Sequence, residues 1–206
     1  MAENHHSYNN TTRRWFHLIS ISFLALIYGL SSITWQAILP VLSIVALVFI
    51  SFDMLRTNVP FLNYLVQESF SVLLRKHEFH TISGMSWFLI AALISIITFP
   101  KIAVAIGFMY LAVGDPAASH FGIKYGKTEI GTKSWVGTFA FFFFSCLVGT
   151  LWLWAAILPF SLALVVAAIS ALVAALAERE VSEMDDNLVI PLIASTFISF
   201  LLFIAV

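Results

Sequence analysis

The chain has 206 residues, 61% hydrophobic and only 10% charged, with a formal net charge of −1 and a mean hydropathy of +0.98. A soluble domain is about 45–50% apolar and about 25% charged, so these few charges cannot cover a water-facing surface, and a soluble globular protein is excluded. No basic run points to nucleic acid, and the single cysteine, Cys146, excludes disulfides and thiolate metal cages within one chain.

Residues 1–12 are polar and show no charged-then-apolar leader, which predicts a mobile polar tail ahead of a single transmembrane domain, 13–206. A spanning helix needs about 20 mostly apolar residues. Seven stretches qualify: 15–31, 33–52, 82–98, 102–118, 135–156, 160–177 and 188–206. Pro159 is the natural break in the long apolar run from Gly137 to Ala177. Between the second and third stretches, residues 59–74 place Phe61, Leu62, Leu65, Val66, Phe70, Leu73 and Leu74 at helical spacing opposite Asn63, Gln67 and Glu68. That pattern predicts an interfacial amphipathic helix. The fold expected is therefore an all-α polytopic membrane protein of about seven transmembrane helices plus one interfacial helix.

With the N-terminus inside, seven spans put Arg13, Arg14, Arg56, Arg75, Lys76, Lys124, Lys127, Lys133 and Arg179 on the inner face and only Lys101 outside. This positive-inside bias predicts a cytoplasmic N-terminus. The acidic residues follow the same face, and Asp115 falls at the inner end of the fourth span, where an ionisable group is costly and marks function. A transporter would place polar groups near the midplane, and few are found there.

Two stretches could carry chemistry. GDPAASHFGIKYGKTEIGTKSWVGT, residues 114–138, alternates Gly122, Gly126 and Gly131 with Lys124, Lys127 and Lys133 ahead of Ser134. Glycines allow close backbone approach, lysines neutralise phosphate, a helix start offers free N–H groups, and Asp115 could hold magnesium. A polyphosphate cradle and a loop obeying the positive-inside rule both remain open. In AEREVSEMDDNLVIPL, residues 177–192, Asp185 and Asp186 repel each other, which a cation would relieve. An acidic helix cap is the simpler account of them on sequence alone. His17, His77 and His80 have no metal-ligand spacing.

Taken together, RRWFH (13–17), DMLR (53–56), RKHEFHTISG (75–84), GDPAASHFGIKYGKT (114–128), KSWVGT (133–138) and DDNLVIPL (185–192) resemble the CTP-dependent lipid kinases of diacylglycerol, dolichol and phytol. These are distant relatives of phosphatidate cytidylyltransferase. The resemblance implies a catalytic membrane domain that transfers the γ-phosphoryl group of CTP to a lipid hydroxyl at the cytoplasmic face. It implies Asp115, Asp185 and Asp186 as magnesium ligands, with the pair also supplying a base. Arg75, Lys76, Gly122, Lys124, Gly126, Lys127, Gly131, Lys133 and Ser134 would bind the nucleotide. Arg14, His17, Glu78, Ser119 and Asn187 would support them. Val136 stands where many relatives carry glutamate, which removes one carboxylate. Cytidylyl transfer with pyrophosphate release, and a non-catalytic lipid-binding or transport protein, are the alternatives. The small size and the Phe-rich fifth span permit a homodimer.

Overall fold

The computed structural model describes residues 2–126, 133–180 and 184–205, with side chains from residue 12 onward. The expected nucleotide contacts Lys127 and Gly131 lie outside the described residues. Every regular element among the described residues is helical. In chain order these are α1 (Ala2–Leu30), α2 (Trp35–Asn58), α3 (Pro60–Phe70), a 3₁₀ turn (His77–Phe79), α4 (Gly84–Thr98), α5 (Lys101–Met109), a π turn (Tyr110–Gly114), α6 (Asp115–Tyr125), α7 (Trp135–Ala156), α8 (Phe160–Glu180) and α9 (Asp186–Ala205).

A helix stands at each of the seven apolar stretches, and five of the helical runs are long and apolar enough to cross a membrane. The break at Pro159 falls between α7 and α8 as expected. The amphipathic stretch forms α3, which Pro60 opens at a position where a missing N–H costs nothing.

Helix α5 is buried on every side from Ala103 to Phe108, which makes it the centre of the bundle. It packs against α1, α7 and α9, while α8 lies between α7 and α9, and α4 between α2 and α9. The α8 face turned inward is built from Ala163, Ala167, Ala171, Ala174 and Ala175. Small residues let backbones approach where lipid removes the hydrophobic drive between helices. Outward faces are the reverse: Leu47 is 69% and Phe203 86% exposed, surfaces that suit hydrocarbon rather than water.

Polar groups gather at one end. Lys101 sits at the other, where its ammonium donates to the carbonyls of Ser31 (2.6 Å) and Ile33 (2.8 Å) in the tight turn between α1 and α2. Those carbonyls have no helical partner, so the lysine closes the turn.

The fourth stretch departs from expectation. It does not end at Ala118, just past Asp115, but continues from α5 through the π turn and α6 to Tyr125. Pro116 cannot donate to the preceding turn, and the helix widens there into one π turn, a form that recurs at functional sites. Asp115 therefore projects from within a helical run from Lys101 to Tyr125. Half of the expected glycine–lysine loop is helix.

Candidate functional site

The polar end rests on a buried ion pair. One turn apart on α2, Asp53 and Arg56 meet at 2.6 Å, with 2% and 1% of each residue exposed. The other oxygen of Asp53 accepts the Ser83 N–H (2.6 Å), the Ser83 hydroxyl (3.0 Å) and the Ser86 hydroxyl (2.6 Å). Arg56 also donates to Asn63 (3.2 Å) and to the carbonyls of Glu78 and Thr81 (3.1 Å each). A guanidinium is suited to this because its donors fan out in a rigid plane. The pair thereby ties α2 and α3 to the irregular segment that carries Arg75 and Glu78.

Within that segment Glu78 positions Arg75 through the backbone. Its carboxylate accepts the Arg75 N–H (2.7 Å) and the Gly84 N–H (2.8 Å). The Arg75 guanidinium then reaches Asp185 at 3.4 Å. Asp185 also accepts the Asn187 N–H (2.9 Å) and side-chain amide (2.6 Å). A Cβ on Gly84 would lie 2.4 Å from that amide nitrogen, so glycine is needed for α4 to approach α9 here. Burial acts to lower the Arg75 pKa, but Asp115, Asp185, Glu78 and Asp186 outweigh it and hold the guanidinium above its ordinary value.

Three further carboxylates converge from three helices. Oxygens of Asp115, Glu178 and Asp186 all lie within 4.8 Å of one another. Lys133 sits against them, 2.8 Å from Glu178 and 2.9 Å from Asp186, and it also donates to the Glu178 carbonyl. Burial pulls the Lys133 pKa down, yet Asp186 and Glu178 raise it above the ordinary lysine value. Arg179 holds the Lys133 carbonyl at 3.2 Å and stacks its guanidinium 3.7 Å from the centre of the Trp135 ring. The donor set is all oxygen, which suits a hard divalent cation such as magnesium and not a soft metal. A second group, His77, Glu78 and Asp185, is equally compact.

The expected site residues thus divide. Asp115, Asp185, Asp186, Arg75, Lys133, Glu78 and Asn187 come together. Arg14 and Ser119 meet as well, with guanidinium-to-hydroxyl distances of 2.7 and 3.1 Å. Glu178 was missed, although it lies in the acidic stretch that drew attention to Asp185. Gly122 and Gly126 do not offer free backbone: a Cβ on either would come within 3.0 Å of the Ser134 hydroxyl, so both serve the packing of α6 against α7. Gly137 does the same, 2.8 Å from the Ala118 carbonyl. Ser134 caps α7, accepting the Gly137 N–H at 3.1 Å. Lys76 and Lys124 are exposed, and the Lys124 ammonium lies 5.1 Å from the ring of Tyr125.

Beside the carboxylates lies a cavity of about 450 Å³. Its walls come from α1, α2, α3 and α4, and its polar lining includes Arg13, His17, Arg75, Glu78 and Asn187.

In sequence the chain is 32% identical over 133 residues to CTP-dependent diacylglycerol kinase 1 of Saccharomyces cerevisiae, a match covering 63% of this chain. The match takes in 46% of the yeast protein, so the chain spans about half the length of that relative. It is 28% identical over 185 residues to an uncharacterized protein of Rickettsia prowazekii, with 87% of this chain and 88% of the relative covered. No family model and no solved structure matches the chain. The yeast relative supports the resemblance to the CTP-dependent lipid kinase family.

Proposed function

We propose that the chain is a CTP-dependent lipid kinase acting on a membrane lipid alcohol, diacylglycerol in the first place and a polyprenol in the second. The observation that carries this reading is the juxtaposition of an oxygen-rich, cation-rimmed cluster with a mostly apolar cavity that shares Arg75 with it. A polyanionic nucleotide suits the first and a lipid the second. Phosphoryl transfer depends mainly on positioning and charge neutralisation, which such a site supplies.

Asp115, Glu178 and Asp186 would hold magnesium, which when bound neutralises charge on the phosphate oxygens. Lys133 and Arg75 would bind the triphosphate, Lys133 exchanging part of its carboxylate contact for phosphate. Lys76 and Lys124, and Lys127 and Gly131 outside the described residues, would contribute further nucleotide contacts. The lipid hydroxyl oxygen bonds to the γ-phosphorus as the bond to the β,γ-bridging oxygen breaks. CDP leaves with that electron pair, and the hydroxyl proton passes to a carboxylate of the Asp185–Asp186 pair. The one-sided basic residues support a cytoplasmic location for this end of the bundle and for the N-terminus, with seven spans as the sequence suggests.

The test uses purified protein with CTP labelled at the α or the γ position, magnesium, and either lipid alcohols or lipid phosphates. Label passing from the γ position to a lipid alcohol with release of CDP supports the kinase. Pyrophosphate release with α-label in the lipid would assign cytidylyl transfer instead.

A further inference from the structure

The cavity beside the carboxylates joins an apolar wall to a polar inner end. Most of its wall is apolar: Phe16, Phe49, Phe52, Val66, Phe70 and Phe88 contribute from four helices. Phe16, Phe52 and Phe70 are also 45% or more exposed, so the wall runs out to the lipid-facing surface. At the inner end, two of the residues that line it carry a buried polar atom with no hydrogen-bond partner, His17 Nε2 and Asn187 Oδ1. Buried polar atoms in folded proteins are nearly always paired, so two unpaired ones on residues of one cavity favour a ligand that carries a polar group.

The orientation of Asn187 is fixed by its network. Its amide nitrogen donates to Asp185 at 2.6 Å, which a carboxylate requires, and the amide oxygen is left as a buried acceptor without a partner. A hydroxyl both donates and accepts, so one O–H can satisfy the Asn187 oxygen and a His17 Nε2–H together. No apolar chain could do so, and an anionic headgroup could not donate to Asn187. Arg13, also on the lining, adds donors that suit ester carbonyls next to such a hydroxyl.

The geometry points to this cavity as the acceptor site. It holds a neutral, ester-bearing lipid alcohol that enters between α1, α2 and α3, and His17 and Asn187 position the reacting hydroxyl beside Arg75. The inference rests on the kinase reading for the hydroxyl's fate, though not for its binding. Helix α3 gains a role as well. Val66 and Phe70 line the cavity from the interfacial helix, so the amphipathic segment forms part of the lipid's entrance.

Two measurements on the full-length protein in detergent test this. First, a diacylglycerol with a photoreactive group near its ester is cross-linked without nucleotide, and the labelled residues are mapped by mass spectrometry. Labelling is expected on α1 near Phe16–Ser20 and on the 66–74 segment, and Ser20→Trp and Leu73→Trp, which fill the cavity, should abolish it. An equivalent probe on a polyprenol lacks the ester carbonyls and should label more weakly. Second, with wild-type turnover in hand, His17→Ala should raise KM for the lipid about tenfold, the order expected for one lost hydrogen bond to a buried partner. KM for CTP should not move, and His17→Asn, which keeps a polar group, should recover part of the loss. Labelling confined to another surface, or unchanged lipid KM in both tryptophan variants and in His17→Ala, overturns the site while leaving the kinase reading intact. Cavity labelling in a protein that transfers no phosphoryl group from CTP overturns the kinase reading and leaves the lipid site standing.

Discussion

Replacing Arg56 by methionine removes the cation of a fully buried pair while keeping most of the side chain's volume. Four contacts go with it: the 2.6 Å bond to Asp53, the 3.2 Å bond to Asn63 and the two 3.1 Å bonds to the carbonyls of Glu78 and Thr81. Asp53 then stays buried with three hydroxyl or amide donors but no countercharge. Breaking a buried pair from one side costs about 3–5 kcal/mol. For a chain of about 200 residues each kcal/mol corresponds to about 2–4 °C in melting temperature, so the expected fall is about 6–20 °C. Because Arg56 holds the Glu78 carbonyl, and Glu78 holds the Arg75 N–H, turnover should fall further than the loss of folded protein explains. The assay is the melting of detergent-solubilised protein at a fixed heating rate, paired with initial rates well below the melt. Asp53→Asn combined with Arg56→Met should recover part of the stability, since the stranded charge is gone. If Arg56→Met melts within about 1 °C of wild type and keeps full activity, the pair is not the support described here.

Gly137→Ala would press a methyl group against the Ala118 carbonyl, and overpacking of this kind costs about 1–3 kcal/mol; thermal melts should show the loss without a change in KM for CTP. Gly84→Ala would displace Asn187 from Asp185, so lipid KM should rise more than CTP KM in steady-state kinetics. Lys133→Ala leaves Glu178 and Asp186 without their ammonium, and the magnesium concentration giving half-maximal rate should shift. The Lys133 pKa is raised in the folded protein, so its ion pair is fully present below the ordinary lysine pKa of about 10.4 and is lost only as pH rises through the higher folded value. A pH–rate profile should accordingly show no limb from Lys133 between pH 7 and about 10, and a limb there that disappears in Lys133→Ala would refute the assignment.

Helix positions were readable because apolar runs and their breaks follow from bilayer thickness alone. Pro159 ends one helix whatever surrounds it, and the spacing of Phe61, Leu65 and Phe70 already describes α3. The carboxylates were only partly readable. Asp115, Asp185 and Asp186 stand out as charges beside apolar runs, whereas Glu178 looked like one more charge of an acidic stretch until α8 was seen to run on through it to Glu180. Asp53 and Arg56 carried the family resemblance, yet nothing in their spacing says that their bonds are made to residues about 22–33 positions away. The glycines were ambiguous in the sequence for a physical reason. A missing side chain serves phosphate approach and helix packing equally, and only the position of Ser134 and Ala118 against Gly122 and Gly137 decides between them. The π turn before Asp115 is not reported by hydrophobic periodicity, although Pro116 beside it is visible in the sequence.

The convergence of Asp115, Glu178 and Asp186 on one cation is what the proposed chemistry stands on. Asp115→Asn keeps the side chain's size and removes its charge, so the variant should fold, elute and bind lipid like the wild type. A catalytic metal supplies several kcal/mol of charge stabilisation, and each 1.4 kcal/mol is tenfold in rate. At saturating magnesium and CTP the rate of γ-phosphoryl transfer to lipid alcohol should therefore drop at least about 100-fold. A rate for Asp115→Asn equal to that of the wild type would contradict the metal site and the mechanism built on it.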